Sequence, residues 1–369
     1  MNNCNIYKIK DSVDLFLSDD QYIMAYYMNT RQRKSFKINK CIVPLIEQID
    51  GKHSVLYIKK YMEKNYNVDG KSVDMVLNLM LKNRLITNIV IDNNILSREE
   101  SERFKRQINY FSEFLGSEQD GINAQKKLMD TNLLIFGCGA IGGDIATELV
   151  MAGIGKITLY DYDIVEKADA SRHMYFREQN IGKKKVNALK EELLQINSKV
   201  IIETIDASMH PESNIESIIE KADFVVNTLD EPYIGYTSAK ISRICVQYNI
   251  PHYIAGGFDA HLASTGELII PYITPCVECY AGYFKEKLKN WKPKKHPVLE
   301  RYNEIGGLSS LSLFSAAFAS IEIVKYISGL VEINDNFKAR GEFLFTNLGL
   351  TYLDVKKNPN CPVCGGEKQ

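Results

Sequence analysis

The apolar positions of this chain change their period twice along its length. Over roughly the first 95 residues, short runs rich in aliphatic and aromatic residues at 23–28 and 35–38 predict strands. Three stretches then carry apolar residues at helical spacing, at 41–48, 54–64 and 72–82. The last places Val73, Met75, Val76, Leu79 and Met80 on i, i+3, i+4 and i+7 offsets. A β-branched run at 85–91 predicts a closing strand. Residues 96–130 are polar and charged, which predicts one exposed or interface helix between two domains, or else a solvated linker. From residue 131 on, strands and helices alternate. Strands are predicted at 132–136, 156–161, 200–205, 223–228 and 252–255, and helices at 141–151, 184–196, 215–221 and 237–248. A longer helix is predicted at 311–327.

Residues 1–95 thus look like a small winged-helix α+β domain. Residues 131–369 read as an α/β domain with a doubly wound, mainly parallel, Rossmann-like sheet. Right-handed crossovers cover both faces of such a sheet.

With 369 residues the chain is long enough for two or three domains. Its 45% hydrophobic and 25% charged content excludes a mostly disordered chain, a coiled coil or a collagen-like fibre. The net charge is −1, which gives no reason to expect non-specific binding to nucleic acid or to an anionic membrane. The N-terminus lacks the basic and apolar regions of a signal peptide. The uncharged stretch 305–321 holds five serines and two glycines, so it reads as a buried helix rather than a membrane span. The expected location is cytoplasmic. There, eight cysteines argue for metal or redox chemistry more than for disulfides.

Gly137-Cys-Gly139-Ala-Ile-Gly142 follows an apolar strand and opens an apolar helix. Its glycines let the backbone turn tightly and approach a phosphate, and the helix N-terminus offers unpaired N–H groups. Asp161 stands at the next strand end, 19 residues after Gly142, where a carboxylate can accept bonds from ribose hydroxyls. The loop alone suggests NAD. Asp161-Tyr-Asp163, then Arg172 and Gly182-Lys-Lys-Lys185, favour ATP, because two cations behind the ribose acid suit a triphosphate. Taken by itself, Lys185 reads as the solvated first turn of a helix. Cys138 reads as a small packing residue.

Cys276-Val-Glu-Cys279 and Cys361-Pro-Val-Cys364 have zinc-knuckle spacing, and four thiolates can close a tetrahedral Zn²⁺ site. A redox pair or two unrelated pairs are the alternatives. Cys4, Cys41 and Cys245 read as packing or incidental residues.

Together these features resemble the ThiF/MoeB/HesA superfamily of ubiquitin-activating-type adenylating enzymes, from about residue 100 to the C-terminus. The resemblance implies that Gly139 approaches ATP phosphates and Asp161 binds the ribose. It implies that Arg172 and Lys185 bind phosphates, and that Asp230, in Asn227-Thr-Leu-Asp230, holds Mg²⁺ and the reacting carboxylate. Arg103-Phe-Lys-Arg106-Gln is similar to a family segment whose second arginine enters the partner subunit's ATP site, so Arg106 implies a homodimer. One segment departs from the family: Asn-Leu-x-Arg-Gln is replaced by Asp169-Ala-Ser-Arg172-His173. An acid there is unfavourable beside phosphates unless Mg²⁺ or Arg pairs with it. His173 reads as a structural histidine, with proton transfer as the alternative.

Within the superfamily the chain is most similar to the microcin-C-type peptide-adenylating enzymes. Residues 20–95 are similar to PqqD-like modules, which bind a precursor peptide by strand addition. The expected function is ATP-dependent adenylation of a peptide C-terminus, at a carboxylate or a side-chain amide, during maturation of a ribosomal peptide. Activation of a sulfur-carrier protein and non-catalytic peptide delivery are the competing readings. A ubiquitin-like thioester relay is not expected, because no cysteine is placed as its nucleophile.

Overall fold

The computed structural model describes residues 2–19, 21–89, 94–259, 262–292, 308–333, 338 and 340–366. The predicted strand at 85–91 therefore lies partly outside the described residues, as does the start of the stretch at 305–321. The chain divides into two compact units, Met1–Lys126 and Lys127–Gln369.

Over residues 6–88 the first unit holds, among its described residues, two three-stranded antiparallel sheets and three short helices. Its elements are β1 Ile6–Ile9, β2 Val13–Asp19, β3 Tyr22–Tyr27, β4 Gln32–Lys37, α1 Ile42–Glu47, β5 Asp50–Ser54, α2 Val55–Tyr66, α3 Gly70–Lys82 and β6 Ile86–Asn88. The sheets are ordered β5-β1-β6 and β2-β3-β4. Both enclose one core that includes Tyr7, Ala25, Leu45, Ile58, Met62, Val73, Leu77 and Ile86. Capping explains the helix starts: Ser54 accepts the Tyr57 N–H, and Asp69 accepts those of Lys71 and Ser72.

The helical periodicity over 72–82 holds, but its face is rotated from the expected one. Val73, Leu77 and Met80 are buried, whereas Met75 is 72% and Leu79 50% exposed. Strands β1, β2 and β5 carry too few consecutive apolar residues to announce themselves. The single helix expected over 96–130 is two, α4 Arg98–Leu115 and α5 Glu118–Asp130. Ser97 and Glu100 form a capping box at the start of α4, and Gly116, at φ 104°, ends it. The boundary between the units falls within α5.

The second unit is built on a six-stranded sheet ordered β14-β11-β10-β7-β8-β9. Its strands are β7 Asn132–Phe136, β8 Lys156–Tyr160, β9 Ile201–Ile205, β10 Phe224–Asn227, β11 His252–Ile254 and, antiparallel at one edge, β14 Glu267–Ile269. All other pairings are parallel. The crossover helices are α6 Ala140–Ala152, α7 Lys185–Ile196, α8 Glu216–Ile219 and α9 Ile234–Gln247. Strands β7, β8 and β10 are buried along nearly their whole length because both faces of the sheet are covered. A second, antiparallel sheet joins β12 Phe258–Asp259, β13 Leu262–Ser264, β15 Gly341–Leu344 and β16 Gly349–Tyr352. Helices α10 Val277–Lys287 and α11 Ser309–Ser328 complete the unit. Helix α11 is long and apolar enough to cross a membrane, but it buries Leu311, Ala316, Ala319 and Ile323 and packs along α6.

Candidate nucleotide site and cysteine cluster

Strand order reverses at β7, whose sequential successor β8 lies on one side and β10 on the other. Ligands of doubly wound sheets bind beyond the carboxyl ends of the strands at such a switch point. Here the ends of β10, β7 and β8 deliver Asp230, the 137–142 loop and Asp161 side by side.

Gly137 has φ +95°, and a Cβ there would meet Thr228 Oγ1 at 2.3 Å. At Gly142 a Cβ would lie 2.0 Å from the Gly137 carbonyl oxygen. Gly139 differs: nothing lies within 4 Å of its Cβ position, and as N-cap of α6 it offers no side chain to the helix N–H groups. The loop thus leaves open space over an uncapped helix N-terminus, which fits a phosphate. Thr228 donates its hydroxyl to the carbonyls of Phe136 and Gly137, and so ties the Asp230 strand end to the loop. Tyr175 donates its hydroxyl to the Cys138 carbonyl from the other side. Neither residue stood out in the sequence. Thr228 sits within the predicted strand at 223–228, and Tyr175 follows the crossover turn without a motif.

Asp161 is buried. One of its oxygens accepts the Cys138 N–H at 2.6 Å and the other the Asp163 N–H at 2.8 Å. Burial raises its pKa above the usual carboxylate range, while the two N–H bonds oppose that rise. Each oxygen keeps a lone pair for a ribose hydroxyl. Asp163 pairs with Lys185 Nζ at 2.9 Å. Burial alone would lower the Lys185 pKa, but the Asp163 bond and the charges of Asp163, Asp169 and Asp161 raise it, so Lys185 is a fixed cation. It is not the freely solvated lysine that a charge run suggests.

Asp169 is buried in the short helical turn Lys167–Ser171. It accepts the Glu166 N–H at 2.9 Å, and lies 3.3 Å from His173 Nε2 and 3.8 Å from Arg172. The acid that departs from the family pattern is thus capped and has an arginine beside it. Burial lowers the His173 pKa to about 4 against the opposing pull of Asp169, so the imidazole is neutral at neutral pH. Arg172 is half exposed on the rim. Asp230 is exposed and makes no hydrogen bond or ion pair among the described residues, which leaves its oxygens available to a cation. Cys138 is fully buried and its thiol is pushed well up by that burial, consistent with packing and not with a nucleophile.

Arg106 is on α4, in the first unit, and lines a cavity of about 250 Å³ together with Lys8, Lys10, Asn109 and Glu113.

The four cysteines of the paired motifs converge and are all buried. Their sulfurs lie within 4.8 Å of one another, with Cys276–Cys361 at 3.6 Å and Cys279–Cys364 at 3.5 Å. Zinc–thiolate bonds of about 2.3 Å in a tetrahedron imply sulfur separations of about 3.8 Å, so the quartet fits Zn²⁺. Cys245 packs in the core of this unit, Cys41 packs against that of the first, and Cys4 is exposed.

The ThiF family profile matches residues 104–363. The chain belongs to the ThiF family. As such it is an ATP-dependent adenylyltransferase. The vegetative HesA protein of Trichormus variabilis is 30% identical over 279 residues, covering 74% of this chain and 93% of HesA. The adenylyltransferase and sulfurtransferase MOCS3 of Caenorhabditis briggsae is 25% identical over 279 residues, covering 74% of this chain and 62% of MOCS3. E. coli MccB solved with ATP superposes with a TM-score of 0.69 at 22% identity, covering 97% of this chain and 99% of MccB. PaaA superposes with a TM-score of 0.70 at 21% identity, covering 95% and 100%. These superpositions establish the fold of the whole chain as a mixed α/β one.

Proposed function

We propose that this chain transfers AMP from ATP to the C-terminal end of a precursor peptide. The observation that carries the reading is the first unit. Most of it precedes the matched residues 104–363, yet MccB superposes over nearly the whole chain, and MccB has been solved with its peptide MccA. In this reading a carboxylate oxygen of the peptide attacks the α-phosphorus of ATP. An O–P bond forms, the bond to the β-phosphoryl oxygen breaks, and pyrophosphate leaves with the electron pair.

The chain's own groups position and neutralise. The Gly139 N-terminus holds phosphate, Asp161 holds the ribose, and Lys185 and Arg172 face the charge that develops on the phosphoryl oxygens. Asp230 would hold Mg²⁺, which supplies charge neutralisation on the leaving group. Asp163 and Asp169 fix Lys185 and Arg172 in place. Arg106 acts in the partner's site of a homodimer. The cysteine quartet holds a structural Zn²⁺ that closes the C-terminal segment onto α10. The setting is cytoplasmic, and neither nucleic acid nor membrane is a partner.

The peptide is bound by β4, an edge strand whose outer backbone rim pairs with no other strand among the described residues. Phe36 lies in that strand, and Lys34 ties it to Asn83 at the end of α3, the helix that exposes Met75 and Leu79. A second reading, activation of a sulfur-carrier protein, is favoured by the likeness to MOCS3. It gives the first unit no task. The two are separated by exchange of labelled pyrophosphate into ATP. Exchange that needs the peptide encoded by a short reading frame beside the gene supports the first reading. Exchange with a sulfur-carrier protein, and with no such peptide, overturns it.

A further inference from the structure

The charges of this chain nearly cancel, yet residues 21–46 carry Arg31, Arg33, Lys34, Lys37 and Lys40 and no Asp or Glu. All but Arg31 and Lys40, which flank it, lie in β4, an edge strand of the sheet β2-β3-β4 among the described residues. Among the described residues, no carboxylate is within ion-pair reach of any of the five. Register assigns the faces. Arg33 is opposite Tyr26, Ser35 opposite Met24 and Lys37 opposite Tyr22. The side chains of Arg33, Ser35 and Lys37 therefore share the outer face, and Arg33 stacks on Tyr26, with its guanidinium 5.8 Å from the ring centre. The acids in register with this rim, Asp14 across Tyr26 from Arg33 and, past a register shift, Asp19 across Tyr22 from Lys37, are on β2, with β3 between them and β4. Gln32, Lys34 and Phe36 share the other face, towards the unit's core, where Phe36 packs. Helix α3, whose C-cap Asn83 accepts a hydrogen bond from Lys34, exposes Met75 and Leu79 at i, i+4 spacing.

Resting on the peptide reading above, we infer that the segment bound at β4 is acidic, with Asp or Glu alternating with apolar residues. A strand added to β4 alternates its side chains between the two faces. Those on the outer face lie beside Arg33 and Lys37, and opposite charges directly across a strand pair stabilise it. Those on the inner face lie beside Phe36 and gain by being apolar. The unpaired N–H and C=O groups of the edge select a peptide over a nucleic acid, whose phosphates answer the cations but not the backbone. The charge preference also steers encounter, so it is strongest at low salt.

The test is fluorescence anisotropy of the full chain with a short labelled peptide alternating Glu with Val, its Gln-for-Glu isostere, its Lys-for-Glu counterpart, and single-stranded DNA. The Glu probe is expected to bind about ten-fold or more tightly than the Gln probe, and to weaken as salt rises. The double substitution Arg33→Glu, Lys37→Glu should abolish the preference and favour the Lys probe, while the neutral pair Arg33→Gln, Lys37→Gln should flatten it. Thermal unfolding reports whether each variant is folded. Equal binding of the Glu and Gln probes, binding of neither, or tighter binding of the DNA overturns the inference. Pyrophosphate exchange is read separately. A charge preference without peptide-dependent exchange leaves this inference and removes the adenylation reading. Exchange without a charge preference does the reverse.

Discussion

Asp169 shows how a single side chain can break a family pattern and still belong to the site. Its carboxylate is not aimed at open space. It closes its own turn through the Glu166 N–H and faces His173 and Arg172. Removing Arg172 should therefore cost charge stabilisation and not folding. Arg172→Ala is expected to lower turnover by about 10²-fold or more, with a thermal midpoint near that of the parent, measured by pyrophosphate exchange and calorimetry. A second residue carries a pH signature. Asp144, buried on α6 beside Glu148, has its pKa raised to about 7, first by burial and then by the Glu148 charge. In the unfolded chain it titrates near the ordinary carboxylate value. The folded state thus holds the extra proton between about pH 4 and pH 7, and stability contributed by this group falls as pH rises through that window. Asp144→Asn should flatten the slope of stability against pH in that range, read from denaturant unfolding at several pH values. An unchanged slope would contradict the assignment.

At the scale of elements, the parts of the site that were legible in the sequence are those whose chemistry is local. The loop at 137–142 reads directly because its glycines answer two tight approaches and one opening. The alternation of strands and helices from residue 131 reads because a parallel sheet buries both faces. What stayed hidden depends on partners far along the chain. Whether Lys185 was a solvated lysine or a fixed one turned on Asp163, and the rotation of α3 turned on which of its apolar residues the two small sheets cover. The antiparallel sheet of β12, β13, β15 and β16 pairs Ala263 with Phe343, segments far apart in the chain, so no local period announces it. The cysteine quartet is the exception, since pairs 85 residues apart were legible from spacing alone. Its prediction belongs here. Purified protein should contain one zinc per chain, and Cys361→Ser should release it and lower the thermal midpoint. A structural site of this kind contributes on the order of 10 kcal/mol. Metal-free protein with an unchanged midpoint would refute the site.

For the whole molecule, the proposed function needs a peptide-holding unit joined to an adenylating one in a homodimer. If Arg106 serves the partner's site, inactive Arg106→Ala and inactive Asp230→Ala chains should recover part of the activity when mixed, because one hybrid site then holds both groups. Mixed dimers without recovery would remove Arg106 from the reaction. Movement of AMP from ATP to the peptide is read by mass spectrometry of the peptide, with quantification of pyrophosphate, after a single turnover with ATP and the full-length protein. The expected product is a peptide that carries AMP at its C-terminal residue, with pyrophosphate formed in equal amount and nothing formed when the peptide is left out. ADP and phosphate as the only products, or AMP released at the same rate without peptide, would contradict it.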